Sequence, residues 1–257
     1  MIGPVIGWTG GPMVGSAIAV AGVTRRFGGR TALEGVTFAV GPGRLCAVCG
    51  GNGAGKTTLL RVVAGYLDAD AGRVTLATGA RLGYLPEGAP LPLELTIAEY
   101  VRHRATLAGL ARAAAGAAAD RALGELGLGD RADDPIGRLS KGLRQRAALA
   151  GVLVGAPAVL ALDEPASGLD ELQRGELRAT LRTLAAGGAA AALAGGRTIL
   201  WSTHELSDVE AVADQVVVLA GGRVVADGDV AAVKAAAGTG DAPLREAIAA
   251  LATRPAS

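Results

Sequence analysis

The run Gly50-Gly51-Asn52-Gly53-Ala54-Gly55-Lys56-Thr57-Thr58 lies between an apolar stretch, Leu45–Cys49, and a helix-like stretch, Leu59–Ala64. Glycine lets consecutive backbone amides turn toward one anion without a Cβ clash. A helix that starts just after such a turn points the positive end of its dipole at the same anion. Lys56 adds a full cation for the β- and γ-phosphates of a nucleotide, and Thr57 a hydroxyl for the magnesium ion that accompanies them. The order strand, glycine-rich loop, helix therefore predicts an α/β chain whose phosphate contacts are residues Gly50 to Thr58.

Binding a nucleotide is not hydrolysing it. Hydrolysis also needs a metal anchor and a base, and both are expected at the end of a neighbouring strand. Four apolar residues, Val159–Leu162, precede Asp163, Glu164 and Pro165. Asp163 is expected to hold magnesium, directly or through water, and Glu164 to polarise a water for in-line attack on the γ-phosphorus. A plain helix-capping role for the two acids is the competing reading, and the phosphate loop weighs against it.

A chain of 257 residues is long enough for a real core, and with only 3% aromatic residues that core must be built from Ala, Val and Leu. The formal net charge of +1 lacks the basic excess that would steer the chain to nucleic acid, so no nucleic-acid partner is expected. The uncharged opening segment is broken by Gly3, Pro4, Gly7, Gly10, Gly11 and Pro12 and predicts a flexible extension over residues 1–16 instead of a membrane anchor. Ala147–Leu162 is too short to cross a bilayer and is cut by Gly155 and Pro157. Cys46 and Cys49 form a C-x-x-C, yet positions i and i+3 of a strand point to opposite faces, so the pair predicts packing and no metal or redox centre.

Alternation predicts strands over 18–23 and 36–40, joined through Gly28-Gly29, as part of an antiparallel layer. Further strands are expected at 73–77, 81–85, 159–163, 198–202, 215–220 and 223–227. Thr96–Leu153 offers no strand candidate and is rich in Ala, Leu and Arg, which predicts a helical insertion. The Ala/Gly phrase from Leu184 to Gly196 is expected to be an expanded surface loop, and helices are expected over 229–237 and 243–252.

Leu139-Ser140-Lys141-Gly142-Leu143, shortly before the Asp-Glu pair, resembles the LSGGQ signature of ATP-binding cassette (ABC) ATPases. Ser167-Gly168-Leu169-Asp170 is similar to their D-loop and Ser202-Thr203-His204 to their switch histidine, while Phe27 stands where an aromatic residue stacks on adenine. With the phosphate loop and Asp163-Glu164, these motifs run in the family's order over residues 17–230.

The resemblance implies a P-loop NTPase fold: a RecA-like core, an antiparallel β-subdomain and an inserted α-helical subdomain over about 88–154, followed by a short helical tail over 231–257. It implies ATP and Mg2+ as ligands and ATP hydrolysis as the activity. It further implies a head-to-tail dimer with a second ABC ATPase subunit, each ATP meeting Ser140, Lys141 and Gly142 from across the interface. Asp170 belongs to the D-loop, and His204 would contact the γ-phosphate.

Lys141 and Leu143 depart from the common signature. Glu87, in Tyr84-Leu85-Pro86-Glu87, stands where most members carry a glutamine that reaches magnesium; a glutamate can still ligate that ion. The combination is similar to the branch serving ABC-2 type exporters. The chain is thus expected to be the ATP-hydrolysing subunit of an ABC transporter, working through a separate transmembrane permease and held on the inner face of the cell membrane by it. The short stretch after Gly228 has no room for a regulatory β-domain, which favours export. A soluble ABC ATPase of an assembly or repair machine and a hydrolysis-impaired nucleotide sensor are the alternatives. The stiff, apolar segment from Glu87 to Leu95 is expected to dock the permease.

Overall fold

Alternating apolar residues pair the first two strands of this computed structural model, which describes residues 15–187 and 196–253. β1 (Ile18–Phe27) and β2 (Arg30–Val40) form a hairpin turned by Gly28-Gly29, with Phe27 opposite Arg30. β4 (Ala71–Leu76) pairs with the other edge of β1, completing the expected antiparallel layer. Both hairpin strands run further toward the turn than predicted, because their polar ends lie on the exposed side. The expected extension over 1–16 falls almost wholly outside the described residues.

The second sheet has the order β5 (Leu82–Leu85), β6 (Val159–Leu162), β7 (Thr198–Ser202), β3 (Leu45–Cys49), β8 (Gln215–Ala220) and β9 (Arg223–Gly228). The first five are parallel and β9 returns antiparallel to β8. Strands β3, β6 and β7 are buried along their whole length, as parallel strands covered on both faces must be. Cys46 and Val48 face α1 (Lys56–Val63) and the antiparallel layer, whereas Leu45, Ala47 and Cys49 face the opposite core. The two thiols therefore diverge, as the period of two requires. Burial pushes the Cys49 thiol from 9.0 to about 12, against the lowering pull of Lys56, so it stays protonated and inert near neutrality.

Between β5 and β6 the chain makes α2 (Ile97–Leu107), α3 (Arg112–Glu125) and α4 (Lys141–Leu153). Thr96 starts α2 with a capping box: its hydroxyl accepts from the Glu99 amide, and Glu99 accepts from the Thr96 amide. Ala115, Ala118, Ala119 and Ala122 form the buried face of α3, so small residues let this helix pack closely. The segment Glu87–Leu95 lies on its own chain. Leu91 and Leu95 are half-buried against the main core, and the Leu93 and Leu95 carbonyls accept from the Gly137 and Ile136 amides. Of the segment's three leucines, only Leu93 turns outward, 49% exposed.

α5 (Glu171–Ala186) ends later than the Ala/Gly phrase suggested, because Leu184 and Ala185 are buried and carry the helix onward. Gly187 closes it at φ +100, the left-handed conformation that glycine adopts without penalty. Gly196 meets the same spot from the other side of the intervening segment: a Cβ on it would lie 1.8 Å from the Ala185 carbonyl oxygen. Residues 188–195 lie outside the described residues. The chain closes with α6 (Leu206–Val212), α7 (Val230–Ala237) and α8 (Leu244–Ala252). Val233, Leu244, Ala247 and Leu251 belong to the main buried cluster, so the two last helices are packed and do not hang free. No helix among the described residues is long and apolar enough to cross a membrane.

Candidate functional site

The turn from β3 into α1 is tight enough that its glycines are required. Gly55, at φ +108, opens α1, and a Cβ there would come within 2.7 Å of the Ala32 carbonyl oxygen and 2.9 Å of Leu33 Cδ2. Gly50, at φ +153, is pressed against the Leu219 carbonyl, 2.3 Å from where its Cβ would be. No side chain caps the start of α1, which leaves its first turn open to an anion. The Lys56 ammonium is nearly buried and donates to the carbonyls of Gly50 (2.9 Å) and Gly51 (3.3 Å). It also stands 3.9 Å from Glu164 Oε1.

Parallel pairing of β6 with β7 sets Leu162 opposite Trp201, which brings Asp163 and Ser202 together at the carboxyl ends of the two strands. This is the edge of an open α/β sheet where ligands bind. Asp163 is 1% exposed. Its Oδ1 accepts from Thr57 Oγ1 (3.1 Å) and Ser202 Oγ (2.7 Å), while Oδ2 is buried with no hydrogen-bond partner. A carboxylate oxygen in that condition calls for a cation or a donor. Ser202 Oγ also accepts from the Glu164 amide at 2.9 Å. Glu164 has φ +46, a strained conformation for a residue with a side chain. Its carboxylate Oε2 lies 2.8 Å from His204 Nδ1. His204 Nε2 is 3.6 Å from Glu205, whose other oxygen is held at 2.9 Å by Arg174 of α5.

A cleft of about 520 Å³ gathers Phe27, the loop from Asn52 to Thr58, Glu87, Glu164 and His204 around one space. Gly50, Gly51 and Asp163 lie beneath it and support Lys56 and Thr57. Phe27 is 48% exposed at the far rim, with the Arg25 guanidinium 4.9 Å from its ring centre. Ser140, Lys141, Gly142 and Asp170 do not line this cleft. Ser140 caps α4, accepting from the Leu143 amide at 3.3 Å, and Asp170 caps α5, accepting from the Gln173 amide at 2.8 Å. Lys141 lies across Gly168, where a Cβ would fall 1.9 Å from its ammonium nitrogen.

The ABC transporter family profile matches residues 33–167. A daunorubicin resistance ATP-binding protein of Streptomyces coeruleorubidus is 36% identical over 247 residues, covering 91% of this chain and 76% of that protein. The chain belongs to the ABC transporter ATP-binding family. A zinc import ATP-binding protein of Halorhodospira halophila is 39% identical over 207 residues, 80% of this chain and 75% of its own length. Among solved structures, an ATP-binding subunit of an ABC transporter superposes with a TM-score of 0.77 at 29% identity, covering 92% of this chain and all but 1% of that one. The protein is thus an ATP-binding ABC subunit with the P-loop NTPase fold, and ATP hydrolysis is its family's activity.

Sequence reasoning on this ABC ATPase missed Ser202 as the clamp on Asp163 and Glu164, although it marked the tripeptide that contains it. It also missed Arg30, which lines the cleft and would lie 3.3 Å from a Cβ at Gly53. The signal for Ser202 was a small hydroxyl at a strand end; only the neighbouring strand gives it meaning.

Proposed function

We propose that this ABC ATPase powers export through a separate membrane permease, as one of two ATPase subunits that close on ATP. The convergence of Glu87, Glu164 and His204 on the cleft built by the phosphate loop carries the reading of the active site. Phe27 takes the adenine on its ring, Gly50 to Thr58 wrap the phosphates, and Lys56 neutralises the β- and γ-phosphates. Mg2+ fits the residues present: Thr57, Asp163 and Glu87 form an all-oxygen donor set, the kind this hard cation takes. When bound, the ion supplies charge neutralisation at the phosphates. Glu164 accepts the proton of the attacking water, while His204, fixed between Glu164 and Glu205, orients it toward the γ-phosphate.

Ser140, Lys141 and Gly142 sit at the start of α4, a 13-residue helix, away from this chain's own cleft. That position suits a phosphate presented by a second subunit. The reading divides the chain into an ATPase domain over 17–230, a helical subdomain over about 88–154 within it, and a helical tail over 231–257.

Replacing Phe27 with Ala should weaken ATP binding by about 1–3 kcal/mol, with Tyr or Trp restoring it, as stacking on a ring face requires. Calorimetric titration with a non-hydrolysable ATP analogue measures this directly. An unchanged affinity would make Phe27 only a hairpin residue.

Export is favoured by the drug-resistance relative, whose match spans 91% of the chain. A groove of about 550 Å³ between α1, β5, α2 and α4 is the better seat for the permease than the segment 87–95. Tyr66 (73% exposed) and Leu107 (65% exposed) stand at it with Arg81 and Arg104. Those chemistries suit a short cytoplasmic helix with an apolar face and an acidic residue, which would hold the chain on the inner face of the membrane. Affinity capture of the full chain from detergent-solubilised native membranes should bring down a protein with several apolar spans of roughly 20 residues. Tyr66→Ser combined with Leu107→Ser should reduce that capture by at least about tenfold. Capture of soluble proteins alone would point instead to an assembly or repair machine.

A further inference from the structure

Side chains alternate across a strand, so residues that stand abreast on parallel neighbours share a face. Tyr84 on β5 pairs with Ala161 on β6, and Ala161 pairs with Leu200 on β7. All three face α1 and the antiparallel layer. Two residues further along β6 and β7, Asp163 and Ser202 fall on the same face, where Thr57 of α1 reaches Asp163.

Two buried oxygens on this face have no hydrogen-bond partner among the described residues: Asp163 Oδ2 and Tyr84 Oη. Asp163 lies diagonally ahead of Tyr84 on that face, its amide donating to the Leu85 carbonyl at 2.8 Å. Burial chiefly raises the Tyr84 phenol and the Asp163 carboxylate adds to that rise, while Arg61, one turn beyond Thr57 on α1, pulls it down. A phenolic hydroxyl rotates freely to suit an acceptor, and a carboxylate oxygen has two lone pairs, so it can accept a hydrogen bond and still serve a cation. At its other end the Tyr84 ring packs against Tyr66, with ring centres 5.1 Å apart. Both tyrosines line the groove of about 550 Å³.

We infer that Tyr84 is a positioning residue for Asp163: its hydroxyl donates to the unpaired Oδ2 and fixes the plane of the carboxylate, and its ring ties that carboxylate to the groove wall. This rests on the reading of Asp163 as a magnesium-holding residue. Partners in the outer layer of a metal site orient the ligands, and their loss costs about 10–100-fold in metal affinity. A protein seated in the groove would press on the Tyr66–Tyr84 pair, and so on the metal site, without touching the nucleotide.

The test is manganese binding to the ADP-loaded full chain, followed by electron paramagnetic resonance, beside ADP affinity measured in chelator and the melting temperature of the free protein. Tyr84→Phe keeps the ring and removes the hydroxyl. It should weaken manganese binding by about tenfold and leave ADP affinity in chelator and the melting temperature unchanged. A purely structural role would move all three together, and that result would overturn the proposal, as would unchanged or tighter manganese binding. Asp163→Ala is run in parallel. If it loses manganese and Tyr84→Phe does not, the Tyr84 proposal alone is overturned. If Asp163→Ala binds manganese like the wild-type chain, the metal role of Asp163 falls and the proposal falls with it.

Discussion

Glu164→Gln should lower ATP turnover by about 10²-fold or more while leaving ATP affinity within about twofold of the wild-type value. The substitution exchanges one carboxylate oxygen for an amide of the same shape, so the clamp from Ser202 Oγ to the residue 164 amide is untouched. The position keeps its left-handed backbone, φ +46, because neither side chain is β-branched. What disappears is the ability to accept a proton. His204 Nδ1, 2.8 Å away, can still meet the amide, so the geometry persists without the base. Steady-state phosphate release and equilibrium binding of radiolabelled ATP separate the two quantities. A variant that hydrolyses like the wild-type protein would remove Glu164 from the chemistry. A wild-type protein with no turnover at all would favour a nucleotide sensor.

Lys56→Ala should be almost as damaging, by a different route. The ammonium is nearly buried and bridges the carbonyls of Gly50 and Gly51, so its removal strips the loop of its internal brace and of its cation for the phosphates. Charge-assisted hydrogen bonds contribute about 1.5–3 kcal/mol each, and losing two or more of them predicts a fall in kcat/KM on the order of 10²-fold or greater. Lys56→Arg should not rescue, because a planar guanidinium cannot occupy the point where Nζ meets both carbonyls. Phosphate release measured across a range of ATP concentrations gives the number. Activity within threefold of wild type would show that the α1 amides hold the phosphates by themselves.

The turn from β3 into α1 was legible in the sequence because its determinants are local: the glycines, Lys56 and Thr57 fall within a single turn. Asp163 and Glu164 were legible for a similar reason, since four apolar residues place them at a strand end. Ser202 was not, because its meaning depends on which strands are neighbours. The sheet order β5-β6-β7-β3-β8-β9 places β7 between β6 and β3, although more than a hundred residues separate β3 from it in the chain. The misplaced end of α5 has a different cause. Alanine and glycine alone do not distinguish a helix end from a loop, and the burial of Leu184 and Ala185 decided it. The Glu87–Leu95 segment was read as a docking surface from its leucines and prolines; Leu91 and Leu95 are half-buried against the core, while Leu93 is exposed. Apolar content in a loop does not reveal which way the side chains face.

The meeting of Gly187 and Gly196 makes the segment between them a natural handle. A Cβ on Gly196 would lie 1.8 Å from the Ala185 carbonyl oxygen and 3.0 Å from the Gly187 amide nitrogen, so the two ends are fastened side by side. Whatever is inserted between them inherits ends that already touch. Doubling the length of a flexible segment that joins two fixed ends costs only about 0.6 kcal/mol in closure entropy. An affinity tag or a fluorophore-bearing peptide placed within 188–195 would therefore leave the register of α5 and β7 intact. It would let the same molecule be purified and followed without adding anything to either terminus.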